Sequence, residues 1–149
     1  MYNVILISKY VIKYEHKNSR FISDLRLQKI LYFIQAQFLA NDSKCFDAII
    51  EAWKIGPVVP DAFYYPTYKL GMGFDIFESN EDNKEYLNID IISKKDKILI
   101  NKICDECSKY ETFELTSITR KQTPYIKAYC EYRYNIIKDE DIKKFFKEK

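Results

Sequence analysis

Apolar residues near the start of the chain recur at every third or fourth position, which is the period of an α-helix. Lys9 and Lys13 are expected to lie off this stripe and interrupt the apolar stretch. No basic region precedes the stretch and no small-residue cleavage site follows it, so the pattern predicts a core helix and not a signal peptide. The stripe consists of Val4, Ile5, Ser8, Val11 and Ile12.

A second helix is predicted from Asp24 to about Ala40, after a polar loop at residues 16–19. Ser23 is a good N-cap for it, because a serine hydroxyl accepts a hydrogen bond from a free N–H of the first turn. Lys29 and Gln37 are expected to lie away from the apolar face. That face is formed by Leu27, Leu31, Ile34 and Phe38.

The middle of the chain predicts short elements separated by turns. Residues 45–54 are apolar, β-branched in the middle and short, so part of them is expected to form a strand. Gly56-Pro57 breaks this segment, and Pro57 and Pro60 suit the start of a helix that runs to about Leu70. A turn is predicted before this segment, at 41–44. After it come a helix end at 71–73, a solvated acidic loop at 78–85 and a second short strand at 87–91.

Four more helices are predicted in the last third of the chain, each with a polar start. The acids of the last one suit the positive end of the helix dipole. The fold class expected is therefore mainly α (α+β), with about seven helices and a small two- or three-stranded β element in a single compact domain, 1–149. The four starts are Ser93 followed by Asp96, Thr112, Thr123 followed by Pro124, and Asp139-Glu140-Asp141.

Composition places the chain among folded proteins that carry little net charge. It has 149 residues, of which 47% are hydrophobic, and 24 basic residues nearly cancel 22 acidic ones to leave a charge of +2. A dedicated nucleic-acid binder usually carries a larger surplus, so the charge balance argues against nucleic acid as a partner. No apolar run approaches the roughly 20 residues of a membrane span. Four cysteines without a secretion signal indicate reduced thiols and a cytoplasmic protein.

Catalytic patterns are weak throughout the sequence. The single histidine, His16, lies in a polar loop, and Cys104 and Cys107 have only half of a zinc-site spacing. Glu51 is enclosed by apolar neighbours, so it is either a general acid with a raised pKa or, more often in such settings, a holder of backbone donors at a turn. The sequence predicts no catalytic residue, no cofactor and no metal site.

Three linked motifs between residues 25 and 73 resemble the Panacea antitoxin domain family, also described as SocA-like or GepA-type phage-associated proteins. A weaker match follows at residues 115–128, where Thr119 and Pro124 fit the family pattern. There Arg120 stands where the family usually has histidine, and Tyr125 where it has tryptophan. The motifs are Leu27-Gln28-Lys29 with Leu31-Tyr32, then Glu51-Ala52-Trp53 with Gly56-Pro57-Val58-Val59-Pro60, then Tyr68-Lys69 before Gly71.

The resemblance implies a bacterial or prophage antitoxin. Such a protein neutralises a cognate toxin protein, encoded by an adjacent gene, either by direct contact or as an adaptor that delivers the toxin to a cellular protease. The resemblance leaves two rivals open: a DNA-binding prophage transcriptional regulator, and an enzyme that uses Glu51.

The second motif makes chemical sense as a rigid corner. Gly56 can take a positive φ, Pro57 fixes the chain direction, and Trp53 supplies a large buried anchor whose N–H needs a partner. Gln28 and Lys29 are placed to bond this corner or a binding partner.

Tyrosines are abundant, at 13 of 149 residues, and such side chains are frequent anchors of protein interfaces. Tyr64, Tyr65 and Tyr68 follow the corner. They are predicted to form an aromatic surface that contacts the toxin, the alternative being that they complete the core.

Overall fold

A computed structural model describes residues 1–65 and 88–148 of the chain. Within these ranges seven α-helices accompany one three-stranded antiparallel sheet, so the predicted mainly α (α+β) fold class is confirmed. The helices are α1 (Val4–Lys17), α2 (Asp24–Ala40), α3 (Pro60–Phe63), α4 (Lys94–Cys107), α5 (Thr112–Arg120), α6 (Thr123–Ala128) and α7 (Asp139–Lys147). The strands are β1 (Glu51–Trp53), β2 (Gly56–Val58) and β3 (Asn135–Ile136).

Local capping explains where the longer helices begin. The side chains of Ser23 and Ser93 each accept a hydrogen bond from a backbone N–H three residues on, both at 3.1 Å, which confirms the two predicted caps. The predicted cap of α5 is wrong by one residue. Glu111 and Glu114 form a reciprocal capping box there, so Thr112 is the first helical residue.

Helix α2 lies at the centre of the fold, where it packs against α1, α4, α5, α7 and strand β2. The prediction that Lys29 lies away from the apolar face is wrong, because this side chain is fully buried. Lys9, on α1, is buried as well. A helix surrounded on several sides buries more than one stripe, so periodicity understates which of its residues are inside.

The small sheet has the strand order β2-β1-β3. Strands β1 and β2 form a hairpin in which Trp53 pairs with Gly56, and β3 joins the other edge of β1 with Ala52 opposite Asn135. The strand predicted at 87–91 is wrong for its described part, since Ile89–Ile91 is a 3-10 helix. Its start is favoured by the Asn88 side chain, which accepts the N–H of Asp90.

The helix predicted after the corner is much shorter than expected. Pro57 belongs to β2, and Pro60 alone starts α3, which ends at Phe63. Tyr64 and Tyr65 therefore follow a helix and do not lie on it. The rest of that predicted helix, Tyr68 and the predictions for residues 71–73 and 78–85 fall outside the described residues. Among the helices of the described ranges, none is long and apolar enough to cross a membrane.

Candidate functional site

The hairpin corner, residues 51–60, is fixed to α2 by two adjacent polar side chains. The Nζ of Lys29 donates a hydrogen bond to the carbonyl oxygen of Pro57 at 2.9 Å. The Oε1 of Gln28 accepts one from the N–H of Val59 at 2.8 Å. Of the two options left open by the sequence, bonding the corner or bonding a partner, the structure realises the first. Both side chains are fully buried, so neither is accessible to a partner.

Gly56 leaves room for the Lys29 side chain at this corner. Its φ of +102°, as the sequence predicted, lies in a region that side chains other than glycine rarely adopt. A Cβ on Gly56 would lie 3.0 Å from the Cε of Lys29 and 3.1 Å from its Nζ. Burial lowers the pKa of the Lys29 amine to about 7, because the charged form has lost its contact with water.

Trp53 anchors the corner through two hydrogen bonds, one to a residue of its own strand and one to a residue of α6. Its indole N–H donates to the Oε1 of Glu51 at 2.9 Å, which gives the buried ring the partner that the sequence required. Its carbonyl oxygen accepts a hydrogen bond from the hydroxyl of Tyr125, on α6, at 2.5 Å. Within the described residues, the Glu51 carboxylate accepts from a side-chain donor, the indole N–H of Trp53, where the sequence analysis favoured backbone donors at a turn.

Most of the remaining motif residues lie inside the fold around this corner. The hydroxyl of Tyr32 donates to the Oε1 of Gln122 at 2.6 Å, which joins α2 to the start of α6. Thr119 is fully buried, and its hydroxyl donates to the carbonyl oxygen of Thr116. The other motif residues that are buried are Leu27, Leu31, Ala52, Gly56, Pro57, Val58, Val59 and Pro124.

An aromatic surface, made of Trp53, Phe63, Tyr64 and Tyr134, covers one side of the corner. The rings of Trp53 and Tyr134 are stacked, with centroids 4.3 Å apart and an interplanar angle of 16°. The rings of Phe63 and Tyr64 also lie beside this indole, with centroids 4.9 and 6.0 Å from that of Trp53. Tyr64 is 69% exposed and Tyr134 is 58% exposed, while Trp53 beneath them is only 7% exposed. The surface is thus a pair of exposed tyrosines on a buried support.

The structure places the tyrosines that were predicted to form a toxin-binding surface in different surroundings. Tyr64 lies on the aromatic surface, whereas Tyr65 is half-buried and packs against the core. Tyr134 was missed by the sequence analysis. It lies next to Trp53 because β3 pairs with β1, and a long-range strand pairing leaves no local signal near Tyr134 in the sequence.

The histidine, the cysteines and the basic residues considered as candidate functional groups lie outside the hairpin corner. His16 is exposed, but the prediction that it lies in a loop is wrong, since it belongs to the last turn of α1. Cys104 and Cys107 are buried thiols whose pKa values are raised, chiefly by desolvation. Arg20 pairs with two carboxylates, those of Glu15 and Asp105. Among residues 1–65 and 88–148, no group of histidine, cysteine and carboxylate side chains is arranged to hold a metal ion.

One of three comparisons with known proteins identifies a family. The sequence model of the family described as "Antitoxin SocA-like, Panacea domain" matches residues 27–126, which is most of the chain and includes the whole hairpin corner. Neither the curated proteins nor the solved structures gave a match. The chain therefore belongs to the SocA-like Panacea antitoxin domain family.

Proposed function

We propose that this protein is an antitoxin that neutralises a cognate toxin protein by direct binding, with the aromatic surface as part of the contact. The family supports the antitoxin role in general terms. The observation that carries the proposal of direct binding is the pair of exposed tyrosines, Tyr64 and Tyr134, held against the buried ring of Trp53.

The physical argument is one of low entropic cost. Tyrosine gives a large contact area with few rotatable bonds, so it loses little conformational freedom when a partner covers it. Stacking on Trp53 restrains Tyr134 before any partner arrives. Trp53 itself is fixed by Glu51 and Tyr125. A preorganised aromatic surface of this kind favours protein binding over catalysis, and the proposal needs no catalytic residue, cofactor or metal.

The test is co-expression with the product of the adjacent gene, scored by growth rescue and by co-purification. The double variant Tyr64→Ser/Tyr134→Ser should weaken the complex about tenfold or more, as expected for the loss of aromatic anchors. Tyr110→Ser is the matched control, since Tyr110 is also an exposed tyrosine but lies in the turn between α4 and α5. The melting temperatures of both variants should stay close to that of the unmodified protein.

Three outcomes decide between modes of action. Rescue together with a stable complex supports direct neutralisation. Rescue that requires a cellular protease supports delivery of the toxin for degradation. Rescue without any complex contradicts direct binding and favours repression of the toxin gene. Apart from these three outcomes, an adjacent gene product that is harmless when expressed alone contradicts the antitoxin role itself.

A further inference from the structure

A broad groove lies on the protein surface beside the hairpin turn. Its volume is about 1130 Å³, and it runs between the turn at Lys54 and Ile55, helices α5 and α6, and the first residues of α2. Neither the aromatic surface nor the buried contacts of Lys29 and Gln28 account for it.

Large apolar side chains are exposed along this groove. Phe113 is 73% exposed, Ile126 is 60% exposed and Ile55 is 39% exposed, and all three line it. Single exposed apolar residues are ordinary on a protein surface, but several that share one concave surface indicate a binding site. The groove therefore offers apolar area that a bound protein segment can bury.

The charge of the groove is one-sided. Lys54, Arg120 and Lys121 line it, and no aspartate or glutamate is among its lining residues within the described ranges. Arg120 lies close enough to Tyr125 to lower the pKa of the tyrosine hydroxyl in part, against the larger rise that burial causes. A chain with a net charge of only +2 thus concentrates positive charge on one apolar surface.

None of these three cations forms an ion pair with a carboxylate within the described part of the chain. Six basic side chains elsewhere in the described ranges do pair with carboxylates, and these are Arg20, Lys44, Lys109, Lys127, Lys143 and Lys147. Unpaired cations beside exposed apolar area complement an acidic partner, because opposite charge steers association and suppresses wrong partners.

We propose that this groove binds an acidic segment of the toxin, in which aspartate or glutamate flanks a large apolar side chain. The apolar side chain packs against Phe113 and Ile126, and the carboxylates pair with Arg120 and Lys121. A nucleic-acid backbone fits less well, because it has no apolar side chain to bury against Phe113 and Ile126. The inference rests on the proposed function, since it names the partner of that antitoxin activity.

The experiment measures the dissociation constant of the purified antitoxin–toxin pair. Arg120→Glu/Lys121→Glu should raise it about tenfold or more, and Phe113→Ser should raise it to a similar extent. The matched controls are Lys94→Glu/Lys95→Glu, an equal charge change at exposed residues of α4, and Ile98→Ser, an exposed apolar residue of the same helix. Both controls should change it less than about twofold.

Salt dependence separates charge from packing. Binding by the unmodified protein should weaken between about 50 and 500 mM NaCl, and the charge-reversed variant should lose most of that dependence. A carboxylate-to-lysine change in the toxin that restores binding to Arg120→Glu/Lys121→Glu would identify the acidic segment directly.

Failure of the groove and failure of the antitoxin role give different results. If the unmodified pair does not bind, the proposed function fails. If it binds and neither groove variant weakens it, the groove inference alone is overturned. The inference is also overturned if the variants abolish binding to a promoter duplex while toxin binding stays intact, or if they dissociate a homodimer without affecting the toxin.

Discussion

The side chain of Lys29 is fully buried, and its Nζ lies 2.9 Å from the carbonyl oxygen of Pro57, to which it donates a hydrogen bond. This contact ties the central helix α2 to the second strand of the hairpin. It also places an amine where burial lowers its pKa to about 7. The corner that carries the aromatic surface is therefore held in part by a group that titrates near neutral pH.

The first prediction concerns stability between about pH 7 and pH 8.5. The pKa of Lys29 is about 7 in the folded protein but near 10.5 in the unfolded chain, so the unfolded chain binds more protons in this interval. The free energy of unfolding should thus rise with pH by up to about 1.4 kcal/mol per unit. Urea unfolding at a series of pH values measures it, and Lys29→Met should remove the rise.

Above about pH 9 the sign should reverse. Burial raises the pKa values of the thiols of Cys45, Cys104 and Cys107 above their ordinary value, so the folded state keeps protons that the unfolded chain releases. The stability that they contribute is fully present below about pH 9 and is lost as the pH rises beyond it. Three thiols in the unfolded chain together release more protons than the single lysine takes up, so the free energy of unfolding should be greatest between about pH 8 and 9. A steady fall in stability from pH 7 upward would contradict the role assigned to Lys29.

The second prediction is that Gly56→Ala destabilises the protein by about 2 kcal/mol or more, through backbone strain and crowding. The φ of +102° strains an alanine, and its Cβ would lie 3.0 Å from the Cε of Lys29. Lys54→Ala, at an exposed position of the same turn, is the control and should stay within about 0.5 kcal/mol of the unmodified protein. Chemical denaturation of the two variants side by side gives the comparison, and equal stability would contradict the argument.

Local chemistry at the corner could be predicted from the sequence, because it depends on residues close together in the chain. The positive φ of Gly56, the buried ring of Trp53 and the cap at Ser23 each follow from the preferences of one residue and its neighbours. The start of α3 at Pro60 and the end of β1 at Trp53 likewise follow from the local preferences of proline and glycine for helix starts and turns.

What the sequence could not give depends on contacts between distant segments. The stacking of Tyr134 on Trp53 requires β3 to pair with β1, and the burial of Lys29 requires α2 to be surrounded on several sides. Gln35 was not singled out either, although it is fully buried and bonds the backbone of the loop before β1. A polar residue on a helix face has the same local pattern whether it meets water or a buried chain.

The third prediction concerns this glutamine. The Oε1 of Gln35 accepts hydrogen bonds from the N–H groups of Cys45 and Phe46, at 2.9 and 3.2 Å, and its Nε2 donates to the carbonyl oxygen of Phe46 at 2.8 Å. Gln35→Met keeps the size of the side chain but leaves these buried groups unpaired, which should cost about 2–4 kcal/mol. Urea unfolding measures the loss.

Gln37→Met is the matched control for that experiment. Gln37 lies on the same helix and is only half-buried, so the same substitution should change the free energy of unfolding by less than about 0.5 kcal/mol. Similar losses in both variants would mean that a general change in helix packing, and not the loss of the Gln35 hydrogen bonds, is responsible.

The fourth prediction concerns the contact between Glu15 and Arg20. The Glu15 side chain is fully buried, and the Nη2 of Arg20 lies 2.8 Å from its Oε1 and 3.0 Å from the Oδ1 of Asp105, on α4. Arg20→Met leaves the Glu15 carboxylate buried without its cation, so the free energy of unfolding should fall by about 3–5 kcal/mol. Glu15→Leu/Arg20→Met removes both charges and should recover most of that loss.

Equal instability of the single and double variants would assign the loss to the packing of Arg20 and to its contact with Asp105, and not to the unpaired carboxylate. The same unfolding curves also test whether the chain is one domain. Glu15 and Arg20 precede the matched residues 27–126, whereas Asp105 lies within them. If the pair joins α1 to the rest of one folding unit, every variant should unfold in a single transition. Loss of α1 and exposure of the Trp53 ring should then occur at the same urea concentration. A separate early transition confined to α1 would contradict the prediction of one domain over residues 1–149.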